Sequence, residues 1–285
     1  MASSNEHIIE AAGKTRVVVR EGKVVSVGKP LIKSCPLASR FSLPVRNMTE
    51  REIQKNIENR IETFGMCTKD RQVTSDQDFV LFGASELLSS AIGAGILDCA
   101  VIACDGAGTV IADRQDLVQG IGGLMSGLVK TSPIPEVMDR IRENGGTVLF
   151  PESADMDSYE GTGVAYNLGY SRVAVTVASS EDAERIRHDF PEALIFGVHM
   201  TGITPEEARQ IVSACDMVSS CASSPLRDIA GAVALLQGGT SIPVFALTTA
   251  GKEVMLEKIR QSPRQVVLKG ASLPCSGKGA PEPLV

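Results

Sequence analysis

RVAVTVASSEDAERIRHDFPEALIFGVH, residues 172–199, decides how this chain is read. RVAVTVA is a Val-rich run of strand type. SSEDAERIRHDFP reads as a helix capped by Ser179 or Ser180, and ALIFGVH as a second buried strand. The unit then repeats. TPEEARQIVSAC reads as a helix, with Thr201 or Thr204 before it and Pro205 in its first turn. DMVSSCA is a short strand, SPLRDIAGAVALLQGG a helix, IPVFALT a strand, TAGKEVMLEKIRQS a helix and QVVLKG a last strand. Strands alternating with helices predict an α/β fold, with a mainly parallel sheet flanked by helices.

The first half is less regular. TRVVVREGKVVSVG predicts an N-terminal β-hairpin that turns at Glu21-Gly22. KPLIKSCPL is extended, because Pro30 and Pro36 exclude a helix around Cys35. NMTEREIQKNIENRIETFG predicts a helix with Thr49 as its N-cap, Glu52 completing a capping box and Gly65 ending it. GASELLSSAIGAG is a second helix, ILDCAVIAC a buried strand and TVIA another. RQDLVQGIGGLMSGLVKTSPIP reads as a glycine-rich helix and a proline-containing loop, PEVMDRIRENGG as a helix, TVLF as a strand and DSYEGTGVAYNLGY as a helix. Three regions follow: an N-terminal hairpin and helix subdomain (1–75), an α/β core (76–270) and a flexible tail (271–285).

The chain has 285 residues, 43% of them hydrophobic, no Trp and a formal charge of −6. A sizeable aliphatic core is therefore expected. The charge balance has no basic block, which argues against nucleic acid. No run approaches the ~20 apolar residues of a membrane span, and no signal-peptide core opens the sequence. The expected location is the cytoplasm, where seven cysteines read as free thiols, metal ligands or core residues rather than disulfides.

In a sheet of this kind ligands bind outside the carboxyl ends of the strands. VIACDGAGTVIA (101–112) puts Cys104, Asp105, Gly106 and Gly108 at one such end. Thr176, His199, Ser220 and Cys221 close others. Cys104, Asp105, His199 and Cys221 are the candidate catalytic residues, as thiol nucleophiles, carboxylate and imidazole base. Gly106, Gly108, Thr176 and Ser220 are candidate cofactor contacts, the glycines by letting backbone N–H groups approach an anion. The same glycines with Asp105 also make an ordinary tight turn. Cys35, Cys67, Cys104 and Cys221 all lie outside helices and would have to converge to hold a metal or an iron–sulfur cluster. No CxxC pair supports that reading locally. Cys99 and Cys215 read as core. GIGGLMSG (120–127) is either a close-packed helix or a phosphate-approach loop.

HIIEAAGKTRVVVREGKVVSVGKPLIKSCPL, IENRIETFGMCTKDR, DCAVIACDGAGTVI, VQGIGG, SGLVKTSPIPEV and VAVTVAS together resemble the archaeal methanogenesis marker protein 8 family. The resemblance runs to about Gly270. It implies an anaerobic cytosolic protein serving cofactor maturation or the activation of methyl-coenzyme M reductase. That reductase, or its maturation factors, would be its partner. The family supplies no catalytic residues to carry over. GASELLSSAIGAGILDCAVIA also looks like a segment of the coenzyme F420 hydrogenase beta-subunit family, but the CxxC runs of that family are absent. Three functions stay open: an accessory factor holding a metal or iron–sulfur site, a small-molecule enzyme with a thiol-containing pocket at the sheet's carboxyl edge, and a non-enzymatic scaffold.

Overall fold

A computed structural model describes residues 5–124, 127–277 and 279–285. Three antiparallel strands come first: β1 (Glu6–Ala11), β2 (Thr15–Arg20) and β3 (Lys23–Val27). Glu21 and Gly22, both left-handed with φ of 50° and 70°, make the expected hairpin turn. This is the turn whose twist matches paired strands. Helix α1 (Glu50–Phe64) packs Ile53 and Ile57 under the strands, with Ile9, Val17, Val19 and Met66. Each such side chain contributes about 1.5–3 kcal/mol on burial. The Thr49 hydroxyl accepts from Glu52 N as an N-cap should, but the capping box is only half made. Instead of reaching the Thr49 N–H, the Glu52 carboxylate accepts from the N–H groups of Arg46 and Asn47.

Next come α2 (Ala84–Gly93), β4 (Cys99–Cys104), β5 (Gly108–Ala112) and α3 (Gln115–Gly122). The stretch Gly127–Lys130, expected inside a helix and loop, is instead a strand, β6. It pairs antiparallel with β1 and completes a four-stranded small sheet in the order β3-β2-β1-β6. Part of the glycine-rich GIGGLMSG run, Met125 and Ser126, lies outside the described residues.

The remaining elements are α4 (Pro135–Glu143), β7 (Thr147–Val148), α5 (Ser158–Asn167), β8 (Val173–Val177), α6 (Ser180–Asp189), β9 (Leu194–Gly197), α7 (Pro205–Ala214), β10 (Met217–Ser219), α8 (Ser224–Val233), β11 (Leu236–Gly238), β12 (Val244–Ala246) and α9 (Thr249–Gln261). Eight strands form a large sheet in the order β11-β12-β10-β9-β8-β4-β5-β7. The sheet is mixed, which corrects the mainly parallel expectation. Its three parallel junctions, β4–β8, β8–β9 and β9–β10, are confined to the centre, and the other four junctions are antiparallel. The cause lies in the connections. A parallel return needs a crossover of about a dozen residues or more, whereas β4 reaches β5 through Asp105-Gly106-Ala107 alone.

Helices cover both faces. Leu87, Leu117, Val137 and Val254, from α2, α3, α4 and α9, pack on one. Ala165, Ile186, Ile211 and Leu226, from α5 to α8, pack on the other.

Two further expectations change. The SPLRDIAGAVALLQGG helix stops at Val233, and Leu236–Gly238 becomes the edge strand β11. QVVLKG (265–270) forms no strand; Val267 and Leu268 are 87% and 64% exposed. A strand pattern becomes a strand only by pairing with an edge, and this run pairs with neither edge strand, β11 nor β7. Residues 271–277 and 279–285 run back along the body. There Cys275 N donates to Gln237 Oε1 at 2.8 Å and Glu282 pairs with Ser34. Among the described residues no helix is long and apolar enough to cross a membrane.

Candidate functional site

The parallel centre of the large sheet points its carboxyl ends at the small sheet. Asp105 follows β4, His199 follows β9, and Ser220 and Cys221 follow β10. Six non-glycine residues among those described have a left-handed backbone: Lys14, Glu21, Cys67, Ala154, His199 and Cys221. Such conformations cost on the order of 1–3 kcal/mol where nothing local relieves them, and they gather at functional sites. Here they are strung along this carboxyl edge and the segments packed against it.

The corner after β4 is dry. Gly65 ends α1 with φ 75° and delivers Cys67 to the edge. The Cys67 N–H donates to Asp105 Oδ2 at 2.6 Å. Arg71 Nε donates to Asp105 Oδ1 at 2.8 Å, and both side chains are fully buried. The rest of the guanidinium is used as well. Nη1 donates to the carbonyls of Gln72 and Gly120, and Nη2 to that of Ile121 at 3.1 Å. Burial is the largest single influence on Arg71 and opposes its charge, but the Asp105 carboxylate, its hydrogen bond and the nearby Cys104 and Cys67 together raise its pKa. Behind this pair the Thr131 hydroxyl accepts from Gly106 N at 2.7 Å and contacts His7 Nδ1 at 2.6 Å. His7 Nε2 faces Asn5 Oδ1 at 2.5 Å. An amide oxygen only accepts, so Nε2 carries the proton and Nδ1 accepts from Thr131. Burial lowers the His7 pKa and keeps it neutral.

The two glycines of the turn serve packing. A methyl on Gly106 (φ 85°) would meet Ile134 at 3.0 Å, and one on Gly108 (φ 70°) would meet the Ala154 carbonyl oxygen at 2.3 Å. The space that a ligand would need beside them is filled by the chain itself. Burial pushes the Cys104 thiol up to about 12 and the Cys67 thiol well above its ordinary value, so neither is an activated nucleophile. A cleft of about 500 Å³ opens above Cys67, walled by the Glu21–Gly22 turn, Thr68, Lys69, Ser132 and Glu136.

The corner after β9 and β10 is open. The His199 side chain is exposed, yet protein crowds it closely enough that desolvation, aided by the Lys14 ammonium, pulls its pKa down to about 4. Gly127 of β6 lets its neighbours pack closely there. A methyl on it would come within 3.0 Å of Glu10 Cβ and 3.4 Å of His199 Cγ. Burial raises the pKa of the half-buried Glu10 carboxyl. Cys221 and Cys35, also half-buried, lie within electrostatic reach of each other, and Glu10 within reach of Cys221. Burial raises the pKa of both thiols. Lys14 Nζ donates to the Thr201 carbonyl, and Ala222 N donates to Thr201 Oγ1 at 3.3 Å, which ties the small sheet to this edge. Arg227 Nη2 donates to the Cys221 carbonyl at 2.9 Å and holds the turn.

The four cysteines expected to converge therefore fall into two pairs, Cys67 with Cys104 and Cys35 with Cys221. Among the described residues no group of three or more His, Cys, Asp or Glu side chains is placed to hold a metal ion. The donor set does not fit a metal or iron–sulfur centre. Thr176 donates within the sheet to the Val101 carbonyl at 3.4 Å, and the Ser220 side chain is wholly buried. Neither faces the open corner as a cofactor contact would. Sequence reasoning missed Arg71, Glu10, Lys14 and Gly127. Arg71 stands 34 residues from Asp105, and no local pattern announces that pairing.

No solved structure matches the chain. It is 42% identical to "Uncharacterized protein MJ0054" of Methanocaldococcus jannaschii over 284 residues, covering 99% of this chain and all of that one. Residues 7–260 match the family described as "Uncharacterized protein conserved in archaea (DUF2099)". The elements that build both corners lie within that match, and the chain belongs to this conserved archaeal family.

Proposed function

We propose that the protein binds a small molecule in the seam between the small sheet and the large sheet's carboxyl edge, and moves a proton on it. One observation carries this reading: Glu10 of β1 and the exposed His199 both border Gly127 of β6, where the small sheet meets the large sheet's carboxyl edge. Burial raises the pKa of the Glu10 carboxyl and holds that of the imidazole down to about 4. His199 is neutral near pH 7 and acts as the base. Cys221 and Cys35 form the thiol wall of the same site. The test is capture. Immobilised protein exposed to the low-mass fraction of an archaeal cell extract retains a compound seen by mass spectrometry, and the His199→Ala variant does not. Equal retention by the two proteins overturns the reading.

The long phrases shared with the methanogenesis marker protein 8 family favour a finer reading. The protein would act as an accessory factor in cofactor maturation or activation of methyl-coenzyme M reductase, in the cytoplasm, with the reductase or its maturation factors as partner. Anaerobic co-purification tests it: the reductase or a maturation factor copurifies stoichiometrically if this reading holds, and neither does if it fails.

A further inference from the structure

The segment 279–285 crosses from one unit of the molecule to the other. At one end Glu282 makes an isolated antiparallel bridge with Ser34, the neighbour of Cys35. Glu282 N donates to the Ser34 carbonyl at 3.1 Å, and the Glu282 carbonyl accepts from Lys33 N at 2.5 Å and Ser34 N at 3.1 Å. Three residues on, Val285 N donates to the carbonyl of Ala222, the neighbour of Cys221, at 2.9 Å. The Val285 carbonyl accepts from Ser224 N, also at 2.9 Å. The strap thus joins the backbones that carry the two half-buried thiols of the seam.

Its attachment is slight. No ladder extends the bridge, and Glu282, Pro283 and Leu284 are exposed while only Pro281 is buried. Segments held by a few exposed hydrogen bonds open locally at far lower cost than the fold.

We propose that residues 279–285 form a releasable strap over the two thiols of the seam, so that its detachment admits a ligand to Cys35 and Cys221. This rests on reading the seam as the working site, but its test needs no ligand. Iodoacetamide labelling of the full chain, read cysteine by cysteine by mass spectrometry, is compared with two variants. One lacks residues 279–285. The other, Glu282→Pro, keeps the segment but loses the N–H that donates to Ser34, together with the Glu282 side chain. Labelling of Cys35 and Cys221 rises about tenfold or more in both variants while the buried Cys99 and Cys215 stay protected. Unchanged labelling of Cys35 and Cys221 in both overturns the strap. A rise of all four cysteines together in Glu282→Pro overturns it too, since the segment would then only stabilise the fold. Failure of the capture experiment with the labelling result intact removes the proposed ligand chemistry and leaves the strap.

Discussion

The corner after β4 and the corner after β9 and β10 share one sheet edge and one set of materials: two cysteines, a carboxylate, a histidine, a cation and left-handed backbone. In the first, Asp105, Arg71, Cys67, Thr131 and His7 consume one another's hydrogen-bonding capacity, and the glycines admit the chain's own backbone. In the second, Glu10 and His199 border a glycine rather than hydrogen-bonding one another, and His199 stays exposed. Residue type does not separate a structural corner from a chemical one. What separates them is whether the polar groups are already spent.

Substitutions can break that contrast. The largest effect is expected for Asp105→Ala, which leaves the Arg71 charge buried and unpaired. Removing one member of a buried pair costs about 3–5 kcal/mol. His199→Ala, at an exposed position, should stay within about 0.5 kcal/mol. Urea unfolding of the two variants measures both, and equal costs would erase the distinction. Gly108→Ala comes next, combining left-handed strain of about 1–3 kcal/mol with a clash against the Ala154 carbonyl. Gly127→Ala should cost about 1 kcal/mol or less, because its neighbours can yield, while it fills the seam and abolishes ligand capture. Thr49→Ala, remote from both corners, should cost about 1 kcal/mol through the lost cap of α1 and leave capture unchanged.

The pH dependence gives the smallest effect. The His199 ring should titrate near 4 by NMR. An unfolded imidazole takes up a proton below about 6.5 while the folded one does not. The His199 contribution to stability is therefore fully present above about 6.5 and is lost as pH falls toward 4. His7, lowered by burial, acts in the same sense. Glu10, raised by burial, acts in the opposite sense, its contribution being lost as pH rises through its folded value. His199→Gln should flatten part of the acid limb and leave the part due to His7. An unchanged limb would show that the protein does not desolvate His199.

Much of this was legible in the sequence for local reasons. Glu21-Gly22 announces its turn, and Gly65 and Ser223 announce helix ends. The Val- and Ile-rich runs of β8 and β9 announce the parallel centre. The mixed character of the sheet was legible too, in DGAG itself: two strands joined by three residues can only run antiparallel. Other features were hidden because they depend on distant partners. β6 is a strand because β1 offers it an edge, while 265–270 has the better strand pattern and pairs with none. The site residues at strand ends were found by the carboxyl-edge rule. That rule cannot say which of them are spent on each other, since Arg71 and Glu10 reach the edge from the other unit.

The small sheet takes three strands from residues 6–27 and its fourth from 127–130. Its closing pair spans more than a hundred residues, and contacts of that range form late because the intervening loop must first be ordered. During synthesis the hairpin can form early, yet its β1 edge stays bare until β4, β5 and α3 have been made and brought into place. The part of the chain made first thus waits for a strand made more than a hundred residues later, and the seam beside Gly127 takes shape only when the two units meet.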